Sequence, residues 1–555
     1  MPRLYSACSS FKLNVALKNE QYPNWAIIRD KEIEITGVYH SNISEEHILS
    51  KLKNNGLELV VSNKTNSVRF IASIADLQEV YSFKEFYYFE EKDMPGEPEG
   101  TVDRTNHKSN YIATDYLGGL KFDGTGVTVM LQDNSNLDEH IDYTGRFFND
   151  VSAIQSGDHG EHTGGIIGAA GNLNPKGRGM AYGADVLVYG SGNDNYNDIP
   201  TLVANNDLTI TSKSFGNGLN AGYTSLAQQL DQQTRQMPSL LHVFSTGNSG
   251  SGWSTITGGH KQGKNVIAVG SVSSTDAIAN SSSRGPALDG RIKPDICAVG
   301  TSVYATIDPN NYGFKTGTSM ACPGVAGSLA QLYHGYKTLN GGVNPDAALI
   351  KGAVLNTGED LGNSGPDFTF GWGRINARRA YDLIENNNYI NTTISQGGNN
   401  THDLIVPSGT TQLRVMVYWS DYEGAASAAP ALVNNIDMQI INPSSTVFNP
   451  WVLNPSSQSA VAVRGVDNLN NMEQVTIDNP TAGNITVDIS AFNLPQGPQS
   501  YYIVYEFIKD EIVLTYPMGG EGFELFAKID CRHQIHLPPS TSMQTPVIID
   551  ASSEH

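Results

Sequence analysis

The run Gly126-Val127-Thr128-Val129-Met130-Leu131-Gln132 is apolar almost throughout, does not alternate with polar residues, and stops at a carboxylate, Asp133. A strand that is apolar on both faces must be covered on both, which is the condition of a buried strand in a parallel sheet. Asp133 is then expected at the carboxyl edge of such a strand. Far downstream, Gly317 to Gly327 places Ser319 among small residues at the start of an apolar stretch, Val325 to Tyr333, that reads as a buried helix. A serine hydroxyl is unreactive until a base takes its proton, and a helix N-terminus offers backbone N–H groups to the oxyanion formed on attack. Gly-Thr-Ser before a helix is equally an ordinary N-cap, and these residues alone do not choose between the two.

Between them, Asp158 to Ala169 is a glycine-punctuated helix opening that carries His159 and His162. An imidazole between a buried carboxylate and a serine is held in one tautomer and is stabilised while it carries the serine's proton, which is the role of a general base. If the segment is helical, only one of the two histidines points at Ser319, and we take His159. The chain order is acid, base, serine.

These segments resemble the catalytic blocks of the subtilisin-like serine proteases, the subtilases, whose triad follows the same order. The resemblance implies Ser319 as nucleophile, His159 as base and Asp133 as its orienting acid, and leaves His162 a packing role. Ser245-Thr246-Gly247-Asn248-Ser249-Gly250 resembles the family's oxyanion loop, which makes Asn248 the side-chain donor to the oxyanion, beside the Ser319 backbone N–H. Lys213-Ser214-Phe215-Gly216 resembles the strand that pairs with extended substrate, implying substrate-binding roles for Ser214, Phe215 and Gly216. Asn280 to Pro286, Asp289 to Ile296 and Gly371 to Ala377 resemble further family blocks. Several positions depart from the pattern. Asn134-Ser135 follow the acid where Thr-Gly is common, and Glu161 stands where threonine is common, adding a carboxylate that would raise the His159 pKa if the two are close. Val299 replaces a frequent proline and Gly324 a frequent histidine. None of these removes a reacting atom.

The 555 residues exceed any single ordinary core and predict about three or four domains. Residues 20–95 alternate strand-like and helix-like runs, a small α+β domain that resembles a subtilase propeptide in outline. Residues 96–110 form a linker, introduced by the acidic, Pro- and Gly-containing stretch from Glu90 to Gly100 and suited to cleavage. Residues 111–388 form the expected α/β catalytic domain, a mainly parallel sheet flanked by helices. Over 389–510 alternating strands bounded by Asn, Gly and Pro predict a β-sandwich of jelly-roll type, with details such as Val417-Tyr418-Trp419-Ser420-Asp421 that resemble the appended β-domain of a bacterial subtilase group. Residues 511–555 resemble the opening of an immunoglobulin-like module, cut short.

A net charge of −21 with 16% charged residues argues against nucleic acid or an anionic membrane as partner. No apolar run is long enough to span a bilayer, and Met1 to Leu13 lacks the apolar core of a signal peptide. Cys8, Cys297, Cys322 and Cys531 have no metal-type spacing, which predicts neither zinc nor a disulfide framework. Subtilases of this kind use structural calcium, for which Asp194, Asp198, Asp421, Asp437 and Asp467 supply hard oxygens, although such acids also serve as solvated turn residues. The chemistry itself requires no cofactor. The sequence therefore predicts a secreted or cell-surface, monomeric endopeptidase acting on proteins or peptides. The rival is an inactive surface or adhesive protein that kept the fold. An esterase is disfavoured because Gly317-Thr318-Ser319-Met320-Ala321 lacks the second glycine of a nucleophile elbow. With no acid evident at a pocket floor, large apolar side chains are expected ahead of Lys or Arg beside the bond cut.

Overall fold

The structure, a computed structural model, describes residues 12–509 apart from 21, 23–25, 30, 64–65, 93–101, 116–118, 135, 138–139, 155–156, 193–195 and 217. Asp194, most of the acidic linker, Cys8, Cys531 and the tail 511–555 lie outside the described residues. The chain divides into two compact units, Met1–Glu99 and Gly100–His555.

The first unit is an antiparallel sheet of β1 (Ile27–Arg29), β2 (Glu32–Tyr39), β3 (Glu58–Asn63), β4 (Ser67–Ser73) and β5 (Phe86–Glu91), with β2 pairing β1, β4 and β5. Helix α1 (Glu45–Asn54) begins where Ser44 accepts a hydrogen bond from the His47 N–H, with Glu45 and Glu46 in its first turn and Lys51 and Lys53 in its last. Cap and charges both suit the helix dipole. Its buried Ile48 and Leu52 join Ile33, Ile35, Phe70, Phe86 and Phe89 in one core, which α2 (Leu77–Tyr81) completes.

The second unit is built on a seven-stranded parallel sheet. Its strands are β6 (Thr128–Asp133), β7 (Phe147–Asn149), β8 (Asp185–Gly190), β9 (Leu208–Lys213), β10 (Leu241–Ser245), β11 (Ile267–Val272) and β12 (Ile296–Val299), in the order β12-β11-β10-β9-β6-β8-β7. Every residue of β9, β10, β11 and β12 is buried, as strands covered on both faces must be. Helix α3 (His159–Gly168) and the 22-residue α5 (Thr318–Leu339) pack on each other, and α5 also crosses β9 to β12. The amphipathic α4 (Ser225–Gln236) packs on β10. An antiparallel hairpin, β13 (Val303–Ile307) and β14 (Asn311–Lys315), lies between β12 and α5 in the chain. Helices α6 (Ala347–Asn356) and α7 (Ala377–Glu385) complete this layer.

Over residues 389–509 every described element is a strand. One antiparallel sheet runs β15-β24-β17-β22 (Tyr389–Ile394, Gln499–Ile508, Gln412–Tyr418, Met472–Asp478) and a second runs β16-β23-β18-β19 (Asn399–Val406, Gly483–Asn493, Asn435–Ile441, Val447–Phe448). A short pair, β20 (Trp451–Val452) and β21 (Val463–Arg464), stands apart. Val415, Val417 and Ile503 of the first sheet and Ile436, Val487 and Ile489 of the second share one core, which makes this a sandwich. The first sheet is apolar on its other face too. Met416 and Tyr418 of β17 and Tyr502 and Val504 of β24, alternating with the sandwich residues, join the catalytic-layer core, where α6 packs on both strands. That two-sided burial is why residues 389–509 belong to the same compact unit as the parallel sheet.

The seam also holds buried charge. Lys264 lies 3.4 Å from Asp231 on α4 and 3.5 Å from Asp421 after β17. Asp295 pairs with Lys293 at 2.5 Å and with Lys351 of α6 at 3.2 Å, and accepts a 2.7 Å bond from the Ala268 N–H. Despite burial, these partners hold the Asp295 pKa below its ordinary value. Removing one partner of a buried pair strands the other's charge at a cost of about 3–5 kcal/mol. Asp295→Ala is therefore expected to lower the melting temperature sharply, read by thermal denaturation, because it leaves two buried lysines without a counter-charge.

Candidate active site

Three neighbouring parallel strands, β6, β9 and β10, end in the residues the sequence singled out. Asp133 is the last residue of β6, Ser214 follows β9, and Asn248 lies three residues beyond β10. The adjacent strands run in the same direction, so their carboxyl ends converge on one edge of the sheet.

Asp133 is buried, and both of its oxygens are engaged. Oδ1 accepts from the His159 Nδ1–H at 2.8 Å and from the Asn134 N–H at 2.8 Å, while Oδ2 accepts from Thr163 Oγ1 at 2.9 Å. Thr163 is one turn after His159 on α3, so the helix that presents the imidazole also fixes the carboxylate. Bonding through Nδ1 sets the tautomer and leaves Nε2 to exchange a proton. Burial pulls the His159 pKa down, but the Asp133 hydrogen bond and charge outweigh it and the net shift is upward. Asp158 contributes a smaller upward push, opposed by Lys315, whose ammonium pairs with Asp158 at 2.8 Å. The acidic neighbours that raise this imidazole include Asp133 and, to a smaller extent, Asp158.

His162 points elsewhere. Its Nε2 lies 3.0 Å from both the Val303 and the Gly313 carbonyl oxygens of the β13–β14 hairpin, and burial lowers its pKa to about 4. It ties α3 to the hairpin as a neutral side chain.

Ser319 is the second residue of α5, and Pro323 stands inside that helix. Proline has no N–H, so the carbonyl four residues earlier, that of Ser319, loses its helical donor. The Ser214 hydroxyl takes that place, donating to Ser319 O at 3.1 Å. In return the Ser319 hydroxyl donates to Ser214 O at 3.3 Å. This reciprocal pair fastens the end of β9 to the start of α5.

Asn248 is clamped to the same helix start. Its Oδ1 accepts from the Thr318 N–H and Thr318 Oγ1, both at 3.0 Å, and Thr318 Oγ1 accepts from the Gly247 N–H at 3.2 Å. Because a backbone N–H can only donate, the amide oxygen must face Thr318, and Nδ2 is the atom left to donate elsewhere. A Cβ at Gly317 would lie 3.1 Å from that Nδ2, so the glycine keeps the space beside it open.

Two departures from the family pattern are linked through His107. The Val299 N–H, which a proline would lack, donates to His107 Nε2 at 2.9 Å. A Cβ at Gly324 would lie 2.9 Å from His107 Cε1, so the ring fills space beside the glycine. Burial, with Arg374 nearby, lowers the His107 pKa to about 3 and keeps it neutral, as an acceptor must be.

Of the substrate-segment residues, Ser214 is buried against Ser319, Phe215 is half-buried and Gly216 is exposed. Of the calcium candidates, Asp194 lies outside the described residues, and Asp437 and Asp467 are electrostatic neighbours of each other. Asp198 caps a helix by position without a side-chain cap bond, and Asp421 is occupied by the Val433 and Asn434 N–H groups and Lys264. Asp467 accepts from Leu469, Asn470 N and Asn470 Nδ2, and Asp437 lies near enough to raise its own pKa through burial and the Asp467 charge. Among the described residues no group of three or more His, Cys, Asp or Glu is disposed to hold a metal. Cys297 and Cys322 are free and buried, with thiol pKa values pushed up by burial. No described helix is long and apolar enough to cross a membrane.

Residues 39–373, well over half of the chain, match the subtilase family. Subtilisin DY of Bacillus licheniformis is 33% identical over 224 residues, covering 40% of this chain and 72% of that protein. Subtilisin E of Bacillus subtilis (strain 168) is 32% identical over 230 residues, covering 40% of this chain and 55% of that protein. Alkaline elastase YaB of Bacillus sp. (strain YaB) is 32% identical over 273 residues, covering 47% of this chain and 65% of that protein. With the parallel sheet and the strand-end geometry, these matches establish that the chain belongs to the subtilase family of subtilisin-like serine proteases.

Proposed function

We propose that this chain is a secreted serine endopeptidase that hydrolyses peptide bonds through Asp133, His159 and Ser319. The observation that carries the reading is the 2.8 Å Asp133–His159 bond, which commits the imidazole's Nδ1 and leaves Nε2 for the nucleophile. In this mechanism the Ser319 hydroxyl turns from Ser214 O toward His159 Nε2, gives up its proton and attacks the peptide carbonyl. The imidazolium is stabilised by Asp133 and returns the proton to the leaving amine. Asn248 Nδ2 and the Ser319 N–H hold the oxyanion of the tetrahedral intermediate. Water, activated by the same histidine, then releases the acyl group. Every group used is a side chain or backbone amide of the chain. We assign residues 20–95 a propeptide role, with cleavage between about residue 90 and residue 110. Mass spectrometry of the active protein is expected to show the new N-terminus in that interval, and a first unit still attached in fully active protein would refute the assignment.

The hydrolase reading is tested by a fluorophosphonate probe, which is expected to label the parent and not Ser319→Ala. Asn248→Ala is expected to lower kcat by about 10²–10³-fold with a smaller effect on KM, since its donor acts on the oxyanion rather than on bound substrate. Unchanged kcat with a lowered melting temperature would leave Asn248 only its clamp to Thr318.

The raised His159 pKa gives a pH signature. The base must be neutral, so kcat/KM is expected to be full above that pKa and to fall as pH drops through it, at a pH above the ordinary histidine value of about 6.5. Asp133→Asn removes the main cause of the rise, and burial together with Lys315 then outweighs the smaller push from Asp158. Its acid limb should move to lower pH while the plateau falls by about 10⁴-fold. An acid limb unmoved by Asp133→Asn would show that another group governs it.

A further inference from the structure

Buried basic side chains cluster behind the exposed Gly216. Lys261, in the loop between β10 and β11, is 1% exposed, yet a Cβ built on Gly216 would lie 2.5 Å from its Nζ, 2.8 Å from its Cε and 2.9 Å from Thr257 O. The ammonium is therefore one atomic layer beneath an exposed stretch of backbone. Gly247, which precedes Asn248, faces the same place, since a Cβ there would collide with Thr257 Oγ1. That hydroxyl lies 2.8 Å from Lys261 Nζ and is the acceptor recorded for it among the described residues. An ammonium has three donors, and among the described residues this hydroxyl engages one of them.

Among the described residues, the groups that act on Lys261 and His260 are basic or neutral rather than acidic. His260 feels the charges of both Lys261 and Lys213, and Lys213 is fully buried, its Nζ 3.4 Å from the centre of the Tyr196 ring. The other electrostatic neighbour of Lys261 is the Cys322 thiol, whose own pKa is pushed up to about 11. Burial lowers the Lys261 pKa to about 7. A carboxylate brought against it would favour the charged form and gain a charge-assisted hydrogen bond.

The position of this lysine relative to the proposed chemistry is what gives it a ligand. Asn248 Nδ2 and the Ser319 N–H fix where the scissile carbonyl oxygen sits. On the substrate-strand role that the subtilase resemblance implies for Ser214 to Gly216, the side chain of the residue that owns this carbonyl lies between the two backbone stretches beside those donors, Ser214 to Gly216 and Gly247 to Asn248. Lys261 and Thr257 lie between the glycines of those stretches.

We propose that Lys261, with Thr257, is the specificity-determining floor for the residue on the acyl side of the scissile bond and selects an acidic side chain, glutamate before aspartate. This rests on the hydrolase reading above and replaces the large apolar side chain expected from sequence. Glutamate has the longer reach to a group beneath the backbone layer. Thr257 orients the ammonium, and the substrate carboxylate supplies a counter-charge that no described residue provides.

The test uses the full chain and peptide p-nitroanilides that differ only in the last residue: Glu, Asp, Gln, Leu or Lys. Parent kcat/KM for Glu is expected to exceed that for the isosteric Gln by about 10- to 100-fold, the range of a hydrogen bond to a charged partner. Lys261→Met should bring that ratio close to one while cleavage of the Leu peptide persists or improves. A parent that cleaves Gln or Leu as well as Glu overturns the proposal, as does a Lys261→Met variant that keeps the preference. The parent comparison needs no variant, so a poorly folding Lys261→Met leaves the question decidable. Calorimetric binding of N-acetyl tetrapeptides ending in free Glu or Gln to Ser319→Ala separates this from the hydrolase reading. Tighter binding of the Glu peptide by at least about 10-fold supports the subsite even if the parent hydrolyses nothing, and equal binding removes it.

Discussion

The site depends on one constraint, the parallel alignment of β6, β9 and β10, which brings three strand ends to a single edge. Parallel pairing fixes register through evenly spaced backbone bonds, so Asp133, Ser214 and the Asn248 loop keep their spacing without direct contact among their side chains. What remains is to bring a helix to that edge. The Ser214–Ser319 pair does so from β9, and the Gly247–Thr318–Asn248 clamp does so from β10. Pro323 strengthens the first link by taking away the competing helical donor, so the Ser319 carbonyl is satisfied only by an outside partner. A helix-breaking residue serves here to join the helix to the sheet.

The two histidines of α3 show how position along a helix assigns roles that residue type does not. Both are imidazoles on one short element, three residues apart. His159 meets a carboxylate and is held above the ordinary histidine range, whereas His162 meets two carbonyls under heavier burial and drops to about 4. A carbonyl can stabilise an N–H but offers no charge to balance an imidazolium, so burial wins there and loses at His159.

The sequence made the sheet, the serine helix and the reacting side chains legible because each rests on a local signal: an unbroken apolar run ending in Asp133, small residues flanking Ser319, a glycine-spaced helix carrying His159. Thr163 was readable in principle, since it follows His159 by four residues and so shares its face. Other partners left no such trace. His107 lies nearly 200 residues from Val299, and its bond to that N–H is a tertiary event that neither segment announces. Residues 389–510 read as a separate sandwich because period-two alternation shows that a strand has two faces, not that both are buried. In β17, Met416 and Tyr418 face the catalytic layer while Val415 and Val417 face the sandwich, and all four are apolar. Lys261 was hidden for the opposite reason, since Gly258-Gly259-His260-Lys261-Gln262-Gly263-Lys264 has the composition of a solvated loop and yet is wholly buried.

That burial separates two kinds of lysine within one segment. Lys264, three residues on from Lys261, is fully buried with Asp231 and Asp421 within 3.5 Å, and Lys293 and Lys351 share Asp295 in the same seam. Arg291 has Asp289 at 2.7 Å. Each of these cations carries its counter-charge with it, as a purely structural buried charge must if it is not to cost the fold several kcal/mol. Lys261 has a neutral hydroxyl in that place. Among the described residues, two buried lysines depart from this rule: Lys213 lies against the Tyr196 ring and Lys261 against the Thr257 hydroxyl, and on the subsite proposed above the Lys261 charge sits where a substrate carboxylate can offset it.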